Sequence, residues 1–252
     1  MSDTPPQLDQ NAQNILNDEE MSNVQKYALL TAGRNSITAL IKYELLTGLF
    51  SSIGGAIGLL LRSKTYRWLL NRLGHGVKIG RHVTFRGVNR IEVGSNVFID
   101  DGCCLDARGN DAKIIIHDHV LISRNTVIRA RNGTIEIQSG TDIGNNCIIS
   151  TDSQLDIGKK VLIAAFTYVC AGGNHIHSDP NKPIIDQGFN KLGGAKIGDG
   201  CWIGAHTSIF DGVEIGNHTI IGAHSMVNKP QPPFSISVGA PAKVIKQRKT
   251  TD

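Results

Sequence analysis

The sequence predicts an all-β solenoid, a parallel β-helix entered through an N-terminal α-helical extension, and two patterns carry that prediction. The first is a six-residue spacing of aliphatics: Ile197, Ile203, Ile209, Ile215, Ile221 and Val227 follow one another without a break, with glycine next at 198, 204, 216 and 222. Neither a strand's period of two nor a helix's 3.6 gives six, whereas a chain that turns a corner every sixth residue does. The second is the fourth place of each unit, which reads His82, Asn96, Gly102, His119, Asn125, Gly140, Asn146, Gly200, His206, Gly212, His218 and His224. Glycine, asparagine and histidine are among the residues that best tolerate positive φ, so a left-handed backbone corner is their simplest common cause.

Residues 1–23 are polar, with Pro5, Pro6, Asp18, Glu19 and Glu20, and lack the basic start and apolar stretch of a secretory signal; they read as a disordered or loosely helical arm. Residues 24–72 form the α-helical extension, with no proline and with aliphatics clustered around Leu29, Leu30, Leu40, Ile41, Leu45 and Leu46. Leu45 to Leu61 carries no charge, but four glycines dilute it and it falls at the short limit for spanning a bilayer. Arg62, Lys64, Arg67 and Arg72 accompany Trp68, Leu69 and Leu70, as in a helix lying at an anionic membrane surface. A cap over the open first coil explains the same segment, and a solenoid needs one.

The β-helix is expected over 73–228. In units such as Ile79–Val83, Val93–Val97, Ile99–Cys103, Ile116–Val120 and Ile143–Cys147 an aliphatic comes first and usually a small residue fifth, which fills a narrow prism without voids. Cys103, Cys147 and Cys201 take the small place, where a thiol is a compact apolar filler. The five cysteines show neither CxxC spacing nor a disulfide framework, which suits a reducing, cytoplasmic compartment. Between Val169 and Ile197 the rhythm lapses for 27 residues, which places a loop at about 171–195; residues 229–252 are a C-terminal segment.

With 252 residues, 40% hydrophobic and 19% charged, no second large domain is required. The net charge of +4 is scattered, and no aromatic-basic face supports nucleic-acid binding. Phosphate-loop, dinucleotide and Gly-x-Ser-x-Gly patterns are missing, which argues against nucleotide hydrolysis, hydride transfer and a serine nucleophile.

A long excursion from a regular column is where function is most often lodged, and this one contains His175, His177 and Asp179. In an extended loop all three would face one side, offering either a general base of near-neutral pKa, a His-Asp metal site or merely solvated residues. His206 and His224, eighteen residues apart, would stack at roughly 4.8 Å as ordinary corner residues or as part of a metal site at a subunit junction.

Ordered motifs then add to the hexads: Gly172-Gly173-Asn174-His175, Pro183-Ile184, Gly198-Asp199-Gly200-Cys201-Trp202-Ile203-Gly204, Ile221-Gly222-Ala223-His224-Ser225-Met226-Val227 and Gly239-Ala240-Pro241-Ala242-Lys243-Val244-Ile245. Over about residues 73–248 the chain resembles the hexapeptide-repeat acyltransferases, and is most similar to members associated with polysaccharide biosynthesis. The resemblance implies a left-handed parallel β-helix, a homotrimer, and transfer of an acetyl group from coenzyme A to a hydroxyl or amine between subunits, with no metal. Carried over residue by residue, it makes His175 the general base, with His177 and Asp179 as substrate contacts. Trp202, Gly204, Ala205, Gly222 and Ala223 would border the pantetheine arm of acetyl-CoA, while Lys229 and Lys243 meet its phosphates. Pro230 stands where many relatives carry an acidic residue after the lysine.

The expected activity is therefore O-acetylation of a saccharide or saccharide-linked intermediate, in the cytoplasm or at the inner membrane face. The alternatives are N-acetylation of an amino sugar, a γ-carbonic-anhydrase-like zinc enzyme, which the same fold resembles, and a catalytically silent scaffold.

Overall fold

The computed structural model describes residues 15–109 and 111–249. The polar arm expected at 1–23 falls mostly on residues 1–14, outside the described residues.

Among the described residues helical residues 15–17 precede three longer helices, α1 (Asn23–Ala32), α2 (Ile37–Phe50) and α3 (Gly55–Thr65), followed by a 3₁₀ turn at Tyr66–Trp68. The Ser22 hydroxyl accepts from the Gln25 N–H while the Gln25 side chain accepts from the Ser22 N–H, and Gly33 ends α1 at φ 71°. Ser36 caps α2 with its hydroxyl accepting from the Ala39 N–H, without a reciprocal side-chain bond. The uncharged stretch from Leu45 to Leu61 is thus two helices, broken at residues 51–54 and re-entered through Gly55 at φ 68°. No helix among the described residues is long and apolar enough to cross a membrane.

The helices close the first coil. Tyr66 is fully buried with its ring edge-on to Phe85 at 6.0 Å, and the Tyr43 hydroxyl donates to the Phe85 carbonyl. Arg62 departs from the sequence reading. Its guanidinium is not at the surface with Lys64 and Arg67 but 1% exposed, donating to the carbonyls of Ile79, Phe50 and Ile53 at 2.7, 2.8 and 2.7 Å. Those carbonyls lie at the helix break and the first coil, where no ladder partner reaches them; a long cationic side chain with a fork of donors does.

Beyond the helices the chain winds around three parallel walls. The first has seven strands, from Arg72–Leu73 to Glu214–Ile215; the second nine, from Lys78–Ile79 to Lys243–Gln247; the third seven, from Thr84–Arg86 to Met226–Val227. Along the second wall Ile79, Ile99, Ile122, Ile143, Ile163, Ile203 and Ile221 pair in one fully buried ladder. Thr126, Thr141, Thr207, Thr219 and the three predicted cysteines fill the small inward places. Burial pushes the Cys103 thiol up to about 11, as a filler in an apolar prism requires.

All twelve predicted corners have positive φ, from 55° at His82 to 76° at Gly212. Lys160, Phe166 and Phe234 adopt the same conformation at corners the sequence does not announce. The eighteen-residue coil holds only at the end, from Ile203 to Ile221. Earlier coils are longer, as from Ile99 to Ile122. Their extra residues lie between the third wall and the first, at 107–112, 131–133 and 152–153.

The column also continues past residue 228. Ser235–Val238 extends the second wall in parallel to Ile220–Ile221, and Lys243–Gln247 pairs with it antiparallel.

Candidate active site

The excursion leaves the third wall after Ala171 and rejoins the first at Gly194, at the corner where every earlier coil carries its extra residues. It does not disturb the register: Ile157 pairs with Ile197, Ile163 with Ile203 and Val169 with Ile209, each forty positions on. Both roots require glycine. A Cβ on Gly173, at φ 92°, would lie 2.8 Å from the Asn190 carbonyl oxygen, and one on Gly194, at φ 107°, 1.8 Å from that of Gln154. The buried Asp211 carboxylate accepts from the N–H groups of Leu192 (2.6 Å) and Gly194 (2.7 Å), and Lys191 pairs with Asp152 at 3.0 Å. Sequence reasoning missed Asp211, because its spacing does not distinguish it from acids at ordinary corners such as Asp199.

Between these roots the flap is a small hairpin. Asn174–His175 pairs antiparallel with Phe189–Asn190, and the His175 ring lies against that of Phe189 at 4.1 Å. His177 Nδ1 is 3.1 Å from the His175 carbonyl oxygen. Since the carbonyl only accepts, Nδ1 carries the proton, and in the neutral ring Nε2 keeps its lone pair. Asp179 is turned into the loop: its Oδ1 accepts from Asn181 N–H, while Gln187 ties the Asp179 N–H and carbonyl together. The three residues are exposed and share one hairpin, but only the histidines touch.

The second predicted group lies elsewhere. Trp202 is half exposed on the outer face of the second wall, between Leu162 and Ile220. At the corner that follows, the rings of Phe166, His206 and His224 stack at 4.8 and 4.7 Å, nearly parallel. This arrangement makes the two histidines a ladder of faces. Among the described residues no three His, Cys, Asp or Glu side chains gather as a metal site.

Beside that ladder run Gly204-Ala205 and Gly222-Ala223. Stacking demands Gly204, since a Cβ there would lie 2.4 Å from the Ala223 nitrogen, while one on Gly222 would meet the Val238 side chain, at 2.7 Å from Cγ1. The alanines are different. In the first coil Asp101 accepts from the Arg81 N–H at 2.6 Å, but Ala223 holds the equivalent place over Ala205 and has no acceptor to offer. The N–H groups of Ala205 and Ala223 therefore make no hydrogen bond among the described residues. Backbone donors of this kind bond to water or to a ligand.

Lys229 is exposed, with its carbonyl accepting from the Gln231 side chain. Lys243 is exposed opposite Val238, just after a turn whose Ala242 N–H donates to Met226. Within one chain the flap histidines and the Trp202 group thus occupy different corners of the prism, and none of the hydrogen bonds or ring contacts described joins them.

A column of this kind with a single long flap is a repeat-built solenoid carrying one large insertion. Residues 194–229 match the bacterial transferase hexapeptide (six repeats) family model. A probable acetyltransferase of Mycobacterium tuberculosis is 34% identical over 167 residues, covering 66% of this chain and 52% of that protein. The chain thus spans about half the length of this curated relative. Two solved structures share the fold: AntD, an N-acyltransferase from Bacillus cereus in complex with dTDP and coenzyme A (TM-score 0.53, 24% identity, 79% of this chain and 92% of that one), and the polysialic acid O-acetyltransferase OatWY (0.52, 23%, 72% and 86%). Over these stretches the chain is similar to hexapeptide-repeat acetyltransferases, and its prism is the left-handed parallel β-helix of the hexapeptide-repeat fold.

Proposed function

We propose that the protein transfers an acetyl group from coenzyme A to a hydroxyl of a saccharide or saccharide-linked intermediate, with His175 as general base. The observation that carries this reading is the flap: an exposed imidazole braced on Phe189, in the longest excursion from the column among the described residues. The acetyltransferase relative and the saccharide named for OatWY support the reaction class and the acceptor class.

The acceptor O–H is a poor nucleophile while it holds its proton, so the His175 imidazole takes that proton as oxygen attacks the thioester carbonyl. A C–O bond forms and the carbonyl becomes an oxyanion, which backbone N–H groups such as that of Ala205 stabilise. Collapse breaks the C–S bond, and the imidazolium returns its proton to the departing thiolate. The pantetheine arm runs along Trp202 and the Ala205–Ala223 corner, its amides meeting the open N–H groups, while Lys229 and Lys243 face the donor phosphates. His177 and Asp179 contact the acceptor. Because His175 and Trp202 stand at different corners of one chain, a homotrimer completes the site by setting the flap of one protomer beside the second-wall corner of the next.

The test is free-thiol release from acetyl-CoA over a panel of neutral, acidic, amino and lipid-linked saccharides. Acceptor-dependent release with an ester product supports the reading; an amide product converts it to N-acetylation, and no release with any acceptor overturns it.

A further inference from the structure

We infer that the N-terminal helices form a docking surface for an anionic lipid bilayer. Along α2, Ile37, Ile41, Leu45 and Leu49 recur every fourth residue and are 62, 53, 56 and 61% exposed, an aliphatic stripe about 18 Å long. Trp68 lines the same cavity as Ile41, Leu45 and Leu46, and on the next helix Ile57 and Leu60 are 70 and 55% exposed. A continuous aliphatic stripe of this length left in contact with water marks a surface for a partner.

Charge says which partner. From Ile37 to Arg72 the exposed charged side chains are Lys42, Lys64, Arg67 and Arg72 against Glu44 alone, and the Glu44 carboxylate is taken up by the Tyr27 hydroxyl at 2.7 Å. Lys42 lies inside the apolar patch, lining the cavity with Trp68. The core of a protein interface disfavours lysine, whereas at a bilayer its stem lies among acyl chains and its ammonium reaches the headgroups. Aliphatic residues on one face, an indole at the edge and cations around it are the composition of a helix lying in the headgroup plane. The buried Arg62 fixes this face: it ties α3 to the end of α2 and to the first coil, so both helices present their exposed sides from a rigid end of the column. This surface is independent of the chemistry assigned to the flap.

The experiment uses the full chain with vesicles of phosphatidylcholine alone or with added phosphatidylserine, read by flotation and by tryptophan emission. Trp202→Phe leaves Trp68 as the only indole of the two in the chain. Flotation with the anionic vesicles and a blue shift of Trp68 are expected. Leu45→Glu/Leu49→Glu, at exposed positions, lowers the partition at least tenfold with sedimentation unchanged, and Lys64→Ala/Arg67→Ala lowers it roughly twenty-five-fold, about fivefold per cation. Failure of the unaltered protein to float, equal flotation of the Leu45→Glu/Leu49→Glu variant, or a change of oligomeric state in that variant overturns the inference; the last would make the face a contact between copies.

Discussion

Replacing His175 by alanine separates the chemistry of the flap from its construction. The backbone is left alone: Asn174–His175 still pairs with Phe189–Asn190, and the residue 175 carbonyl still accepts from His177. What folding loses is the ring contact with Phe189, worth about 0.5–1.5 kcal/mol, which a hairpin held at both roots by glycines and by Asp211 can bear. What catalysis loses is the base proposed above. General-base removal costs about 100–10,000-fold, or roughly 3–5 kcal/mol of barrier. We expect kcat to fall in that range with KM for acetyl-CoA within about threefold, whereas Phe189→Leu, which loosens the same ring, costs at most about tenfold. Steady-state thiol release with sedimentation as a control distinguishes the two. A His175→Ala enzyme within tenfold of the unaltered rate refutes the assignment, and His177, whose Nε2 the structure leaves with its lone pair, becomes the residue to replace next.

Four further outcomes follow from particular contacts. Ala223→Asp places a carboxylate over the Ala205 N–H, as Asp101 stands over Arg81; coenzyme A affinity measured by calorimetry should drop at least tenfold without loss of thermal stability. Arg62→Leu orphans three carbonyls at about 1–3 kcal/mol each, offset by relief of the buried charge, for a net loss of about 2–4 kcal/mol; hydrogen exchange should quicken over α2 and α3 while the walls stay protected. The Arg81 N–H, and after it the guanidinium, hold the Asp101 carboxyl below the usual carboxylate range against partial burial. A depressed native pKa gives stability that is present above the unfolded value and lost as pH falls through the native one; the acid-side fall in Tm should therefore be shallower in Asp101→Asn. Alkylation of the native protein at pH 8 should reach only Cys104 and Cys170, since Cys103, Cys147 and Cys201 are buried; full labelling without denaturant would contradict the packing.

The column was legible because each of its rules acts on residue types. A corner at φ near 57° selects among side chains, so His82, Asn96 and His224 announce it, while Lys160, Phe166 and Phe234 are carried into the same conformation by the coils beside them and announce nothing. Coil length was less legible, since the two to five extra residues of the earlier coils leave the inward hexads intact. Arg62 misleads for a different reason: a charge beside Lys64 reads as solvated until the stranded carbonyls of Phe50 and Ile53 are seen. In the site, the flap and its histidines were visible as a lapse in rhythm. Asp211, Phe189 and the uncapped Ala205 N–H were not, because each owes its role to a residue fourteen to nineteen positions distant rather than to its neighbours in sequence.

The unbroken ladder on either side of the flap has an evolutionary corollary. Ile163 meets Ile203 as though the intervening turn were absent, so the walls keep their register whatever the tip of the flap carries, as long as its roots keep Gly173, Gly194 and the bonds to Asp211. Such a socket accepts new plugs. Under the proposed function, rewriting the tip of the flap while keeping His175 would change the acceptor and leave the Trp202 corner as it is.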